Sequence, residues 1–167
     1  MNVLPKGAEP PSITLTAADG SQLDLSKLEG PLVLAFIHPD VAASRNVVGY
    51  LRKLHDMVPD LPIWFVSSAD EEQTDRYVKG YLGDYLTSYP VVPAGCEVLA
   101  AFGATHVPTV HYFVDGKVDL AFTGFHKLSL NTLAERAATA FEVRPKQLVA
   151  DLDNKGEYEL AEPSGCE

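Results

Sequence analysis

Residues 32–54 read LVLAFIHPDVAASRNVVGYLRKL, and this stretch decides the fold. The apolar run 32–37 predicts a buried strand, which the sequence His38-Pro39-Asp40 ends. Apolar residues then recur at helical spacing, so we expect a helix over about residues 41–57, with Asp40 as its N-cap. A strand that runs directly into a helix places free backbone N–H groups at the edge of a sheet. In α/β proteins this is a common position for chemistry.

The rest of the chain adds strands and helices around this junction. Strands are expected over residues 12–16, 63–67, 109–114 and 117–123, with a second short strand and one turn within residues 21–28. Helices are expected over residues 70–82, 95–102 and 129–141. Strand, helix and strand joined by short links form a right-handed unit with parallel strands. The sequence therefore predicts an α/β domain over residues 12–144, with a mixed central β-sheet flanked by helices and an N-terminal β-hairpin. An extended lead-in, residues 1–11, and an acidic tail, residues 145–167, complete the chain.

Charge excludes two classes of partner. The net charge of −10 repels nucleic acid and anionic membrane surfaces. No apolar run is long enough to span a bilayer, and the N-terminus carries no secretory signal pattern. We expect a soluble protein that is cytoplasmic as the sequence stands, or exported if a signal was removed. The acidic tail predicts a solvated, partly disordered end.

The two cysteines, Cys96 and Cys166, lie far apart in the sequence. They form neither a Cys-x-x-Cys pair nor a zinc-binding pattern. We expect two unrelated thiols. A disulfide between them is the alternative, and it would tie the tail to the domain.

The order of elements resembles the thioredoxin superfamily, and more closely its bacterial redoxin branch of thiol–disulfide oxidoreductases and peroxiredoxin relatives. The resemblance covers about residues 7–141. It rests on three groups of residues. They are Ile13-Thr14-Leu15 with Asp19-Gly20 and Gly30-Pro31, the strand–helix junction, and Ala101-Phe102-Gly103-Ala104 with Val107-Pro108-Thr109, Asp115-Gly116-Lys117 and Gly124.

This resemblance implies a cis peptide bond before Pro108, in a loop that borders the substrate groove. It also implies a Cys-x-x-Cys motif at the start of the first helix. With Phe36 and Arg45 set on the family's own Phe and Arg, the motif reads Val41-Ala42-Ala43-Ser44. Thiol exchange needs a thiolate, and neither position supplies one. A serine needs an adjacent base before it can attack, so Ser44 is expected to satisfy backbone groups.

We therefore expect a redox-inactive domain, without a cofactor, that binds a protein, peptide or small ligand in this groove. The predicted groove consists of His38, Asp40, Val41, Ala42, Ala43, Ser44, His106, Val107 and Pro108. The alternative is a thiol oxidoreductase or peroxidase-like enzyme that uses Cys96, with Cys166 as a possible resolving thiol. Cys96 would begin a short helix, where a thiolate is favoured.

Two weaker possibilities concern other side chains. His38, His106 and Asp40 could converge as a small metal or acid–base cluster. His111 lies inside a predicted strand, where it is either packed or exposed, and His55 and His126 look like surface residues.

Four tyrosines recur every fourth residue and could form an aromatic contact surface or pack in the core. They are Tyr77, Tyr81, Tyr85 and Tyr89.

Overall fold

The computed structural model describes residues 3–81, 89–153 and 155–166. Its strands are β1 (Thr14–Thr16), β2 (Gln22–Asp24), β3 (Pro31–Ile37), β4 (Ile63–Ser67), β5 (Val91–Val92), β6 (His106–Val107), β7 (Thr109–Val114), β8 (Lys117–Thr123), β9 (Phe125–His126), β10 (Tyr158–Glu159) and β11 (Glu162–Pro163). Its helices are α1 (Ala42–Met57), α2 (Glu71–Tyr81), α3 (Cys96–Phe102) and α4 (Lys127–Ala140).

Five strands form a mixed sheet in the order β5-β4-β3-β7-β8. The strands β3, β4 and β5 are parallel, whereas β7 pairs antiparallel with both β3 and β8. The hairpin of β1 and β2 lies outside this sheet, with Leu15 opposite Leu23. This arrangement confirms the predicted α/β fold, with its mixed sheet flanked by helices and its N-terminal hairpin.

The core forms where the sequence predicts it. All of β3 from Leu32 to Ile37 is buried, as expected for a central strand that carries apolar side chains on both faces. One face of α1 is also fully buried, because its apolar residues recur at helical spacing. These residues are Val47, Leu51, Leu54 and, just after the helix, Val58.

Two helices begin elsewhere than predicted. Helix α1 begins at Ala42 with Val41 and not Asp40 as its N-cap, and the Asp40 carboxylate accepts a hydrogen bond from Gln73 Nε2 at 2.7 Å. Helix α4 begins at Lys127, two residues before its predicted start at residue 129, because β9 leads directly into it. The Ser129 hydroxyl there bonds to the His126 ring.

The acidic tail also differs from its prediction, since much of it folds onto the domain. Leu148 and Val149 are fully buried, β10 pairs antiparallel with β9, and β11 pairs antiparallel with β6. The sequence predicts a solvated end from charge alone. It misses two-residue strands whose partners lie far back in the chain.

Two of the four regularly spaced tyrosines, Tyr77 and Tyr89, are buried, so they pack in the domain. Tyr85 and the side chain of Tyr81 lie outside the described residues.

Within the described chain, the helices are all too short or too polar to cross a membrane.

His111 lies in the middle of the sheet, opposite Leu34 on β3, and is 1% exposed. Its ring packs against three phenylalanines, Phe36, Phe102 and Phe113. Neither ring nitrogen has a hydrogen-bond partner among the described residues. Because burial penalises the charged imidazole, it lowers the pKa of His111 to about 4.

This burial predicts a pH-dependent stability. The pKa of His111 is lowered on folding, so the unfolded chain binds the proton more tightly. Stability should therefore be complete above pH 6.5 and fall as the pH is lowered towards 4. The expected loss from this group is about 3 kcal/mol, as a shift of this size implies.

Chemical denaturation at a series of pH values measures this loss. His111→Phe should remove most of the slope between pH 6.5 and 4. His55→Gln, the control, should keep the slope. An unchanged slope in His111→Phe would assign the pH dependence to other groups.

Candidate functional site

The turn between β3 and α1 is closed by its own backbone and side chains. The Val41 N–H donates to the His38 carbonyl at 3.1 Å, and the Asp40 N–H donates to His38 Nδ1 at 3.1 Å. The Arg45 guanidinium donates to the Pro39 carbonyl at 3.0 Å. The first turn of α1 is thus held in one position at the edge of the sheet.

Val41 and Ser44, where the resemblance places the family's two cysteines, are both buried. Val41 is 7% exposed and Ser44 is 1% exposed. The Ser44 hydroxyl accepts a hydrogen bond from the His38 N–H at 3.2 Å, so it satisfies the backbone where β3 ends. Ala43 is buried as well, and only Ala42 of the four residues is exposed. Nucleophilic attack by a serine needs an adjacent base, and the hydrogen bond described for Ser44 is to a backbone N–H instead.

The Pro108 loop lies at the same edge of the sheet. Phe36 on β3 pairs with Thr109 on β7, which sets Pro108 level with the last residues of β3. The peptide bond between Val107 and Pro108 is cis. The Thr109 hydroxyl donates to the His106 carbonyl at 2.7 Å, which fixes the loop from within.

The predicted metal cluster does not form. The His38 ring bonds to the backbone of Asp40, and the His106 ring bonds to the Thr105 hydroxyl at 2.8 Å. No group of three histidine, cysteine or acidic residues able to hold a metal ion occurs among the described residues. The described residues therefore give no support to a metal site made by His38, His106 and Asp40, and the acid–base alternative stays a prediction.

The tail of the chain occupies the edge of the Pro108 loop. Glu162 and Pro163 on β11 pair antiparallel with Val107 and His106 on β6. The ladder is extended by the Ser164 N–H, which donates to the Thr105 carbonyl at 3.0 Å. The strand immediately before Pro108 is therefore already paired with a segment of the same chain.

Two side chains from other elements hold the same segment. The Asn46 amide of α1 donates to the Glu159 carboxylate. The Ser68 hydroxyl, just after β4, donates to the Ser164 carbonyl at 2.7 Å. The tail thus runs beside α1 and past the end of β4. Sequence analysis misses Asn46 and Ser68, since a single amide and a single hydroxyl give no recognisable pattern.

Gly124 permits the tail to approach closely. Its φ of +74° lies in the left-handed region, and a Cβ there would collide with the Glu159 carbonyl oxygen. The same Cβ would also lie 3.1 Å from the Ala161 N–H nitrogen. A glycine is required at this position both by the backbone conformation and by the neighbouring strand.

The tail ends in a disulfide bond between Cys96 and Cys166, so the expectation of two unrelated thiols is wrong. The bond joins residues 70 positions apart, and both cysteines are half-buried. Cys96 Sγ lies 3.6 Å from the Ser68 carbonyl oxygen. The disulfide therefore lies beside Ser68, the residue just after β4 whose hydroxyl binds the tail. The signal available in the sequence was the presence of just two cysteines, one of them in the tail.

Upstream, the tail is attached by Tyr50 of α1. Its hydroxyl donates to the Asp153 carboxylate at 2.9 Å. Burial, and then this hydrogen bond, raise the pKa of Tyr50 to about 12. The tyrosine therefore stays protonated and keeps donating throughout the physiological range of pH.

A substitution at Gly124 should detach the tail selectively. In Gly124→Ala the new Cβ collides with the Glu159 carbonyl, so amides in residues 158–164 should exchange faster with solvent. Gly103→Ala is the matched control, because its φ is +70° and a Cβ there meets nothing within 4 Å.

Both variants should lose about 1 kcal/mol of stability to backbone strain. Only Gly124→Ala should lose protection in the tail, as hydrogen exchange would measure. Equal protection of the tail in both variants would contradict the close approach at Gly124.

Comparison with known proteins gives matches in structure alone. No family model matches the sequence. The search of curated proteins likewise finds no match.

Several solved structures share the fold. A putative thiol:disulfide interchange protein DsbE from Chlorobium tepidum has a TM-score of 0.63 at 19% identity, covering 82% of this chain and 98% of its own. A putative protein disulfide isomerase from Bacteroides thetaiotaomicron has a TM-score of 0.68 at 17% identity, covering 84% and 92%. The peroxidoxin BcpB from Mycobacterium tuberculosis has a TM-score of 0.61 at 19% identity, covering 83% and 97%. The chain therefore has the thioredoxin-like fold of redoxin-like thiol–disulfide oxidoreductases and peroxiredoxin relatives.

Proposed function

We propose that this chain is a non-catalytic thioredoxin-like domain that binds an extended peptide segment of a partner protein beside Pro108. The observation that carries the proposal is the pairing of β11 with β6, in which an extended segment already lies against this edge. Adding a strand to an exposed sheet edge is a common way to recognise a peptide, because main-chain hydrogen bonds supply affinity.

The chemistry of the α1 start supports binding over electron transfer. Disulfide exchange requires a thiolate nucleophile, and Val41 and Ser44 carry no sulfur. The groove in this proposal consists of the residues predicted from the sequence, namely His38, Asp40, Val41, Ala42, Ala43, Ser44, His106, Val107 and Pro108.

The seated tail indicates what kind of peptide fits. A carboxylate at the position of Glu159 meets the Asn46 amide. Two positions later, the side chain of Ala161 is 9% exposed, so a small residue is required there. The intervening Leu160 is 70% exposed and tolerates any residue. The class of ligand is therefore an extended segment with an acidic residue followed, two positions on, by a small one.

The disulfide supports the exported alternative for localisation. Disulfides persist in oxidising compartments and are rare in the cytosol of most organisms. The Cys96–Cys166 bond therefore favours a protein that works outside the cytoplasm.

Binding can be tested with a fluorescent peptide of residues 157–165 and the full chain carrying Cys166→Ser, whose tail is not covalently fixed. Saturable binding in fluorescence anisotropy is expected. A lysine at the Ala161 position of the peptide should weaken binding about tenfold or more, because it must bury a charge.

The matched control is the same lysine at the neighbouring Leu160 position, which should change the affinity by less than about twofold, since surface substitutions have small effects. All three peptides compete with the same tail, so their affinity ratios depend on the peptide alone. Equal affinities, or no saturable binding by the parent peptide, would contradict the proposal.

A second candidate function is disulfide exchange by the Cys96–Cys166 pair. The observation in its favour is that the two sulfurs are bonded and half-buried at the edge of the sheet. A substrate dithiol would become a disulfide as this bond is reduced, or the reverse.

The two candidate functions can be distinguished by measuring whether the chain catalyses reduction of a protein disulfide by an excess of a small dithiol. For a binding domain, the rate should equal that of the Cys96→Ser variant. Turnover in the parent chain that disappears in Cys96→Ser would instead establish the enzyme.

A further inference from the structure

The chain's own C-terminal segment, residues 157–166, lies along the face on which a partner peptide would bind. It begins beside α4, where the Lys127 N–H donates to the Glu157 carbonyl at 3.0 Å. It pairs with β9, passes over Gly124, pairs with β6, and ends in the bond to Cys96. This segment is called the latch below.

We infer that the latch is an intramolecular occupant of the β6 edge of the proposed groove, beside Pro108, held closed by the Cys96–Cys166 disulfide and opened when a dithiol reduces that bond. The inference rests on the proposed function, since an open groove matters only if an extended peptide binds there. The inference adds a condition to that proposal, which is that the peptide binds once the Cys96–Cys166 disulfide is reduced.

The apolar hold on the latch is slight, although hydrogen bonds attach it at several points. Each of its two ladders pairs only two residues, and strand pairs this short are marginal on their own. Its two large side chains are only partly buried, since Tyr158 is 42% exposed and Leu160 is 70% exposed. Only the small side chains of Ala161 and Ser164 are buried. The hydrophobic gain that holds most strands in place is therefore almost absent here.

The covalent bond is placed to compensate for this weakness. Cys166 lies two residues after Ser164, the last residue that hydrogen-bonds to the groove. A cross-link at this point keeps the whole segment at high local concentration over its binding site. Without the cross-link, the two short ladders and the hydrogen bonds alone hold the latch, and each ladder can open.

The opening step is an ordinary thiol–disulfide exchange. A thiolate of the dithiol attacks one sulfur of the Cys96–Cys166 bond, which breaks as a mixed disulfide forms. The second thiol of the dithiol then displaces the remaining cysteine. The dithiol leaves as a cyclic disulfide, having lost two electrons and two protons, and Cys96 and Cys166 both end as thiols. Both cysteines are half-buried and not sealed in the core, so a small dithiol can reach them.

The experiment uses the full chain, oxidised or treated with dithiothreitol, and makes two measurements. Hydrogen exchange follows the amides of residues 158–164, with the amides of β3 as a control for global folding. Fluorescence anisotropy follows binding of the peptide of residues 157–165. The double variant Cys96→Ser, Cys166→Ser serves as the matched chain that a reductant cannot change.

On reduction, the latch amides should exchange about tenfold faster or more, while β3 amides stay within about twofold. The apparent Kd of the peptide should fall about tenfold or more, because the occupant no longer holds the site. The double variant should behave as the reduced chain with or without dithiothreitol.

Latch amides that stay protected after reduction would overturn the inference, whatever the peptide does. Tight peptide binding to the oxidised chain that reduction does not change would overturn it as well. Faster exchange of the latch without any peptide binding would instead contradict the proposed function, and it would support release by reduction. The two failures are therefore distinguishable.

Discussion

Strand β3 is hydrogen-bonded along both edges, parallel to β4 and antiparallel to β7, and the geometry of the site depends on this double pairing. The parallel neighbour requires a crossover, which α1 provides, so the start of a helix lies at the carboxyl end of β3. The antiparallel neighbour begins at the same end, and it brings the Pro108 loop level with that helix start. A slip in either register would separate the two halves of the groove.

The sequence predicts this central part because its signals are local. The apolar run of β3 and the helical spacing of Val47, Leu51 and Leu54 each specify an element within one short stretch. The turn residues Asp115-Gly116 likewise predict the hairpin of β7 and β8. The sequence analysis misses contacts between residues that are distant in the sequence. The Asp40 carboxylate bonds to Gln73 on another helix, and nothing near Asp40 in the sequence indicates this preference.

The tail is the clearest case of this limit. Its strands are two residues long and contain Glu and Pro, which are poor strand formers, so propensity argues against them. Their positions depend on a disulfide to Cys96 and on a glycine at residue 124 that makes room for the backbone. Neither constraint acts within the window that a periodicity argument uses. The sequence therefore predicts the helix start and the Pro108 loop that meet at this edge, but not the segment that pairs with β6.

For the binding function proposed above, a tail that pairs with β6 sets the affinity that a partner peptide needs. A tethered segment competes at the local concentration that its tether sets, which is in the millimolar range for short flexible links. A partner present at far lower concentration can displace it only if its intrinsic affinity is greater by the same ratio. The exposed Tyr158 and Leu160 show that the tail leaves much of its potential contact unused. A partner peptide that buried larger side chains at such positions would gain apolar contact that the tail forgoes. Under the proposed redox control, the bonded tail excludes weak ligands, and reduction of the Cys96–Cys166 bond lets a ligand with more apolar contact replace it.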